Sequence, residues 1–192
     1  MNPRIELFFR KPSWLAAGLG LVAGGVWWLT AGDAPAPAHL AEQVSYRRMA
    51  DSLHAVLRAA DTTFLARQAA EPAAASLSHA EFLRRMAREI ATHGAEFSFA
   101  LRALDPLDPR AAPQTQVEQD ALKAFRRAGG AARPRLVEEQ LGGRAYFTAV
   151  YPARATRTSC ADCHNRDPRG SRHDFRRGDV MGAWVIRLPR EF

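Results

Sequence analysis

Residues 136–151 read LVEEQLGGRAYFTAVY, and this stretch predicts a β-hairpin. Two runs of strand-like composition, Leu136–Leu141 and Arg144–Tyr151, are joined by Gly142-Gly143. A two-glycine connection favours the tight hairpin turn, because both central residues of that turn need a positive φ. Further strand-like segments lie on either side of the hairpin, at 97–101 and 180–188. The sequence therefore predicts a mostly antiparallel sheet.

Three segments carry the apolar spacing or the capping residues of α-helices. The first, Val44–Gln68, places apolar residues at helical spacing. The second, 78–94, and the third, 115–130, each begin with a capping box (Ser-x-x-Glu or Thr-x-x-Glu) and end at glycine. The segments 105–113 and 156–178 are predicted to be loops. Helices followed by an antiparallel sheet predict an α+β fold with the N-terminal helices packed on the sheet.

Composition narrows the class of protein. The chain has 192 residues, with 27 Lys or Arg and 20 Asp or Glu, so its net charge is +7. That charge would permit nucleic-acid binding, but the arginines are scattered beside acidic residues, which favours a solvated surface and no nucleic-acid partner. Two cysteines are too few for a disulfide framework or a four-thiolate metal site. The sequence has no phosphate-binding glycine loop and no nucleophile elbow.

The N-terminal segment has the pattern of a membrane anchor. Arg4, Arg10 and Lys11 precede an uncharged run from Pro12 to Gly32. About 20 uncharged residues just span a bilayer, and basic residues before them keep that end in the cytoplasm. The predicted organisation is a cytoplasmic N-terminus at 1–12, a transmembrane helix at 13–32, a linker at 33–43 and one domain at 44–192.

A cleaved signal peptide is the alternative interpretation of the same segment. Small residues around Ala34–Ala38 offer a cleavage site. Both interpretations place the rest of the chain outside the cytoplasm. We therefore expect an inner-membrane protein, N-terminus inside, whose soluble domain lies in the periplasm.

Cys160, Cys163 and His164 form a C-x-x-C-H motif. Two thiols at this spacing can each add to one vinyl group of haem, and the adjoining histidine is then held beneath the iron as the proximal ligand. The motif therefore predicts haem c, covalently attached and one per chain.

Three other interpretations of this motif compete with haem attachment. The pentapeptide can arise by chance, although it uses both cysteines of the chain. A thioredoxin-like redox pair would need the motif at a helix N-terminus after a strand, whereas the segment around it is predicted to be a loop. A zinc site would need one further histidine, and His164 directly beside Cys163 suits a tetrahedral site poorly.

The motif does not specify a sixth iron ligand. His79, Met86 and His93 are seven residues apart and share one stripe of the second predicted helix. Seven residues rise about 10.5 Å along a helix, so at most one of the three reaches a given iron. Further donors of the same kinds are His39, Met49, His54, His173 and Met181. Each of these residues also has a structural interpretation, in the core or at the surface.

Three stretches between residues 95 and 189 resemble a family of PAS-like c-type haem domains, which occur alone or as extracytoplasmic sensor regions of bacterial signalling proteins. The stretch 99–122 resembles the family's Asn-Pro-x-Asn-x-Pro loop and the Glu and Leu that follow it. The stretch 159–168 contains the C-x-x-C-H motif. The stretch 174–189 carries Asp-Phe, then Gly-Asp-Val-x-Gly, then a strand that ends at proline.

The resemblance implies a PAS-like α+β fold in which Cys160, Cys163 and His164 bind the haem. Some members use a cysteine on an upstream helix as the distal ligand, and this chain has no third cysteine. The corresponding position falls near His79. The resulting hypothesis is bis-histidine ligation by His164 and His79, with Met86, His93 and His54 as alternatives.

Two acidic residues and five arginines bear on the haem site that the resemblance implies. Asp105 and Asp108 stand where the family usually has asparagine, and both can accept the same turn hydrogen bonds. Five arginines are close in sequence to the motif: Arg166, Arg169, Arg172, Arg176 and Arg177. They are either solvated loop charges or partners of the haem propionates, to which arginine can donate two parallel hydrogen bonds.

The expected function is a membrane-anchored periplasmic monohaem module that senses redox state or a small ligand. A small c-type electron carrier is the alternative. A sensor needs an output, and no kinase, cyclase or methyl-accepting segment precedes Phe192, so we expect a separate signalling protein or a redox partner. We do not expect an enzyme: a small peroxidase would need a distal acid–base group, and the sequence identifies none.

Overall fold

The structure, a computed structural model, describes residues 38–71 and 77–190. Its helices are α1 (Ala38–Ala70), α2 (His79–Thr92), α3 (Gln116–Ala128) and α4 (Thr158–Arg166). Its strands are β1 (Ser98–Arg102), β2 (Arg135–Leu141), β3 (Arg144–Arg154) and β4 (Val180–Pro189). Single 3-10 turns lie at Pro109–Ala111 and Gly129–Ala131. The α+β class predicted from the sequence is confirmed.

The four strands form one antiparallel sheet in the order β1-β4-β3-β2. The predicted hairpin is β2–β3, which closes at the pair Leu141 and Arg144. Gly142 and Gly143 have φ values of 58° and 80°, as the tight turn requires. The last strand, β4, pairs with β1 on one side and with β3 on the other, so it occupies an interior position in the sheet.

Each face of the sheet is covered by helices. One face carries the alternating apolar side chains of the central strands and packs against α1 and α2; it includes Phe99, Phe147, Tyr151, Trp184 and Ile186. The other face carries Val150, Ala183 and Val185 and packs against the apolar stripe of α3, which includes Leu122 and Phe125. Alternation along a strand sends neighbouring residues to opposite faces, so each interior strand contributes to both clusters.

A buried ionic network lies on the α3 face. Glu118 of α3 is 0% exposed and accepts hydrogen bonds from the Arg187 guanidinium (2.8 Å) and from the backbone N–H of Gln114 (2.5 Å). Arg187 also donates to Glu139 (2.8 Å), which accepts from the hydroxyl of Thr148 (2.7 Å). Charges removed from water in this way are stable because their hydrogen-bonding groups are paired.

The start of β4 contains a bulge next to a close backbone contact. The register with β3 shifts between Ala153 and Arg154, so that Met181 is the extra residue on β4. At Gly182 an added Cβ would lie 2.5 Å from the carbonyl oxygen of Arg102 in β1. Glycine at this position therefore allows β1 and β4 to pair.

The capping boxes begin helices as predicted. The Glu81 N–H donates to the Ser78 hydroxyl (3.2 Å), and the Glu118 N–H donates to the Thr115 hydroxyl (3.3 Å). Gly94, just beyond α2, has φ 74°, as expected for a residue that ends a helix.

α1 begins earlier than the periodicity indicated. It starts at Ala38, six residues before Val44 and inside the segment 33–43 that was predicted to be a linker. Residues 38–43 contain neither glycine nor proline, and two of these residues reach the rest of the domain: Gln43 donates to Glu138 (3.2 Å), and Glu42 accepts from Arg190 (3.0 Å).

The predicted transmembrane helix at 13–32 lies outside the described residues. Within residues 38–71 and 77–190, none of the helices is both long enough and apolar enough to cross a membrane.

Candidate functional site

The C-x-x-C-H motif lies on α4, a helix that directly follows β3. The prediction of a loop over 156–178 is wrong for Thr158–Arg166, because that stretch has no glycine or proline. α4 ends at Asp167, which is extended (φ −76°, ψ 118°), as expected for a residue before proline. A helical motif after a strand also removes the loop-based argument against a thioredoxin-like redox pair.

The two cysteines differ in exposure. They are three residues apart on a helix, so their side chains project from the same side of α4. Cys160 is partly buried against a small apolar cluster of Ala155, Ala161, Phe175 and Met181. Cys163 is exposed, and both thiols are free. Both thiols can therefore react with a single molecule that lies along this turn of α4.

His164 projects from the last turn of α4 and is half-buried. Its ring meets the ring of Phe175 edge-on, with centroids 6.0 Å apart. Burial lowers the pKa of His164, and the nearby charge of His79 lowers it further, against the opposing effect of Asp167. The neutral imidazole is therefore favoured, and this is the form that ligates a metal.

Asn165 connects α4 to the segment that follows it. Its side-chain amide donates to the carbonyl of Phe175 (2.9 Å), and its amide oxygen accepts from the N–H of Phe175 (2.9 Å). The Nδ1 atom of His173 lies 2.9 Å from the carbonyl oxygen of Asn165. These contacts fix the position of Phe175, and hence of the aromatic edge against His164.

His79 is the first residue of α2, just after its N-cap Ser78. Its Nε2 lies 2.5 Å from Oδ1 of Asp61 on α1. Phe64 of α1 stacks on Phe82 of α2 (centroids 4.0 Å apart, planes 2° apart), and its ring lies 6.4 Å from that of His79. The charge of His79 is also one of the causes of the lowered pKa of His164, after burial.

The other candidate distal ligands lie elsewhere. Met86 packs against the core cluster under α1 and α2. His93 is exposed, with Nδ1 2.8 Å from the carbonyl oxygen of Glu89. His54 stacks on Tyr151 (centroids 4.0 Å apart) and meets the edge of Trp184. Burial, followed by the charge of Arg58, lowers the pKa of His54 to about 4.

The loop at 105–113 reaches both α2 and the segment after the motif. Asp108 accepts from the N–H of Arg110 (3.0 Å), which is the turn hydrogen bond expected of it, and also pairs with Arg84 of α2. Hydrogen bonds from Arg110, then from Arg84, lower the pKa of Asp108 to about 2. Asp105 instead accepts from the hydroxyl of Ser171 (2.9 Å) and pairs with Arg126.

Two of the five arginines near the motif already have protein partners. Arg169 pairs with Asp167 (2.5 Å). Arg172 pairs with Asp174 (2.5 Å) and lies over the ring of Phe175, 4.3 Å from its centroid. The side chains of Arg166, Arg176 and Arg177 are exposed. Propionate binding by any of the five remains a prediction.

Sequence reasoning missed Asp61, Asn165 and Phe64 as parts of this site. Asp61 and Phe64 lie on the same side of α1 as the core residue Leu57, and this spacing is visible in the sequence. Nothing in the sequence pairs Asp61 with His79, however, because that contact depends on how α1 packs against α2. Across 38–71 and 77–190, three or more His, Cys, Asp or Glu side chains are nowhere grouped to hold a metal ion.

A four-stranded antiparallel sheet with helices on both faces, and with the C-x-x-C-H motif on a helix after its third strand, makes this an α+β domain. The chain belongs to the Tll0287-like family, whose model matches residues 38–189. This confirms the PAS-like haem-domain family that the three stretches indicated. The crystal structure of the cyanobacterial heme protein Tll0287 is similar, with 22% sequence identity, a TM-score of 0.41, and coverage of 56% of this chain and 69% of that one. No curated protein matches the chain.

Proposed function

We propose that this protein binds one haem c, attached through Cys160 and Cys163, with His164 as the proximal ligand. The observation that carries the proposal is the arrangement on α4: two free thiols on one side of a single turn, followed by a half-buried histidine whose pKa is lowered. This donor set fits covalent haem. Membership of a family named after a heme protein supports the same assignment.

His79 is the proposed distal ligand. Of the candidate residues, it is the one whose charge acts on His164, and it sits beside the stacked rings of Phe64 and Phe82. Aromatic side chains provide an apolar surface against which a flat ligand such as haem can pack. Met86, His93 and His54 are engaged in the core or with other groups.

The proposed role is a redox- or ligand-sensing module, anchored in the inner membrane by residues 13–32 with its domain in the periplasm. Haem supplies a one-electron couple and a coordination position for a small ligand. The chain holds the proximal imidazole on α4 and steadies Phe175 against it through Asn165. Output would pass to a separate signalling protein.

A small electron carrier is the second candidate, and the exposure of Cys163 favours it. A thioether bond to an exposed cysteine would place part of the haem edge at the protein surface. Electrons could then pass to a redox partner without any rearrangement of the fold.

The test is to mature the full chain with a c-type haem attachment system and analyse it under denaturing conditions. Haem that stays on the polypeptide, and is lost in Cys160→Ala with Cys163→Ala, is the expected result. His93→Ala, which removes an exposed histidine, should retain it. Matured protein without covalent haem would contradict the proposal.

Spectra of the same samples separate the two candidate roles. Reduced protein whose spectrum shifts when CO is added has an accessible iron, as expected of a ligand sensor. A low-spin spectrum that is indifferent to CO indicates two strong axial ligands, as expected of an electron carrier.

A further inference from the structure

The contact between Asp61 and His79 joins two helices that are separate in sequence. Asp61 lies on α1 with its side chain 13% exposed, and His79 opens α2 with its side chain 34% exposed. Oδ1 of the carboxylate and Nε2 of the imidazole are 2.5 Å apart. An ionised carboxylate can only accept hydrogen bonds, so Nε2 carries the proton and donates it.

This contact occupies the nitrogen that His79 would present to iron. A histidine nitrogen ligates a metal through its lone pair and must first lose its proton. While Nε2 donates to Asp61, its lone pair is not available. In this arrangement His79 is not able to ligate a metal through Nε2.

We propose that Asp61 is a positioning residue that competes with the haem iron for Nε2 of His79, which makes His79 a displaceable distal ligand. This inference rests on the proposed function. With His79 on Asp61, the distal position is open to a small molecule. For Nε2 to ligate the iron as part of a neutral imidazole, its proton would go to the carboxylate or to water and Nδ1 would carry the one proton of the ring; the distal position would then be closed.

The His79 ring lies between a capped helix start and an aromatic pair. Ser78 caps α2 and fixes the backbone of the next residue, His79, so the imidazole moves by side-chain rotation alone. Phe64 and Phe82 stack on each other, and the Phe64 ring lies beside the His79 ring. In the proposed exchange, the His79 side chain rotates from one partner to the other.

The competition predicts how the distal position responds to substitution. Asp61→Ala removes the alternative partner, so His79 should remain on the iron. The low-spin fraction should rise, and the affinity of the reduced protein for CO should fall about tenfold, as expected for loss of a charge-assisted hydrogen bond. Asp61→Asn keeps a weaker hydrogen-bond acceptor, so its low-spin fraction and CO affinity should lie between those of Asp61→Ala and the wild type.

The experiment uses the full matured chain with CO as the probe, and records the ferric spin state and the CO affinity of the reduced protein. The variants are Asp61→Ala, Asp61→Asn, His79→Ala and the double variant Asp61→Ala/His79→Ala. His93→Ala and Asp120→Ala, each an exposed residue of the same type, serve as matched controls and should resemble the wild type.

His79→Ala should bind CO most tightly, and adding Asp61→Ala to it should change nothing further, because Asp61 acts through His79. Two results would overturn the inference: an unchanged or larger CO affinity in both Asp61 variants, or an Asp61→Ala effect that persists without His79. Wild-type protein that carries no covalent haem would instead overturn the proposed function, so the two failures are distinguishable.

Discussion

Glu118 shows how much of this fold depends on a single side chain. Its carboxylate is 0% exposed, and Arg187 and the Gln114 N–H donate to it, while Arg102 lies within ion-pair distance at 3.4 Å. The family resemblance drew attention to this residue, but its buried partners come from β1 and β4 and are not apparent from the sequence.

Replacing Glu118 with Ala should lower the free energy of unfolding by about 3–5 kcal/mol, because Arg102 loses its carboxylate partner and Arg187 keeps only Glu139. Urea denaturation measures the difference. Asp120→Ala, at an exposed position on the same helix, is the control and should cost under about 1 kcal/mol. Equal losses in the two variants would show that the network contributes little.

His54 makes stability depend on pH. Burial against Tyr151 lowers its pKa from 6.5 to about 4 in the folded protein. Between these two values the unfolded chain binds more protons, so stability falls as the pH falls. Because His54 is only half-buried, solvent screening keeps the loss below the roughly 3 kcal/mol to which the full shift corresponds.

Comparing His54→Phe with the wild type tests this linkage. Urea denaturation of both proteins, near neutral pH and at a pH of about 4.5, should give a weaker pH dependence in the variant, because its side chain cannot take up a proton. His93→Ala should keep the wild-type dependence, since His93 is exposed. An identical pH dependence in all three proteins would exclude His54 as the cause.

At the scale of elements, α4 is positioned by side-chain contacts more than by its own burial. Ala161 is its one residue that is buried. Asn165 makes two hydrogen bonds to the backbone of Phe175, so the helix and the following loop are joined at its last turn. The orientation of His164 depends on this connection.

Asn165→Ala should therefore lower the free energy of unfolding by about 1–3 kcal/mol, since it leaves two backbone groups of Phe175 without these partners. It should also change the spectrum of bound haem, because the aromatic edge beside His164 is released. His173→Ala removes one contact to the Asn165 carbonyl and should have a smaller effect on both measurements. If Asn165→Ala left stability and spectrum unaltered, this positioning role would be wrong.

Local signals account for what the sequence predicted correctly. Capping boxes at Ser78 and Thr115 locate α2 and α3, and Gly142-Gly143 locates the hairpin, because each signal acts within a few residues. α4 was missed since TSCADCHNR offers no apolar stripe. The motif itself was identified, but the contact between His79 and Asp61 depends on tertiary packing.

At the scale of the whole molecule, the sheet depends on the close approach of β1 and β4 at Gly182. A Cβ there would lie 2.5 Å from the Arg102 carbonyl oxygen, so one of the two strands would have to move. Both helical layers pack on this sheet, and a displaced strand affects both core clusters.

Gly182→Ala should cost about 1–3 kcal/mol of unfolding free energy through overpacking. Gly130→Ala is the matched control, because an added Cβ there meets nothing within 4 Å, and it should be close to neutral. Thermal or urea denaturation compares the two. A neutral Gly182→Ala would mean that the strands separate at little cost.

The interior position of β4 also sets an order of events during synthesis. A ribosome completes α4 before it reaches β4, so both thiols emerge while the sheet still lacks the strand that joins β1 to β3. Met181 of β4 packs against the same small apolar cluster as Cys160. An enzyme that modifies Cys160 would therefore have its easiest access before the last strand pairs, and a nascent chain that folds quickly would shorten that interval.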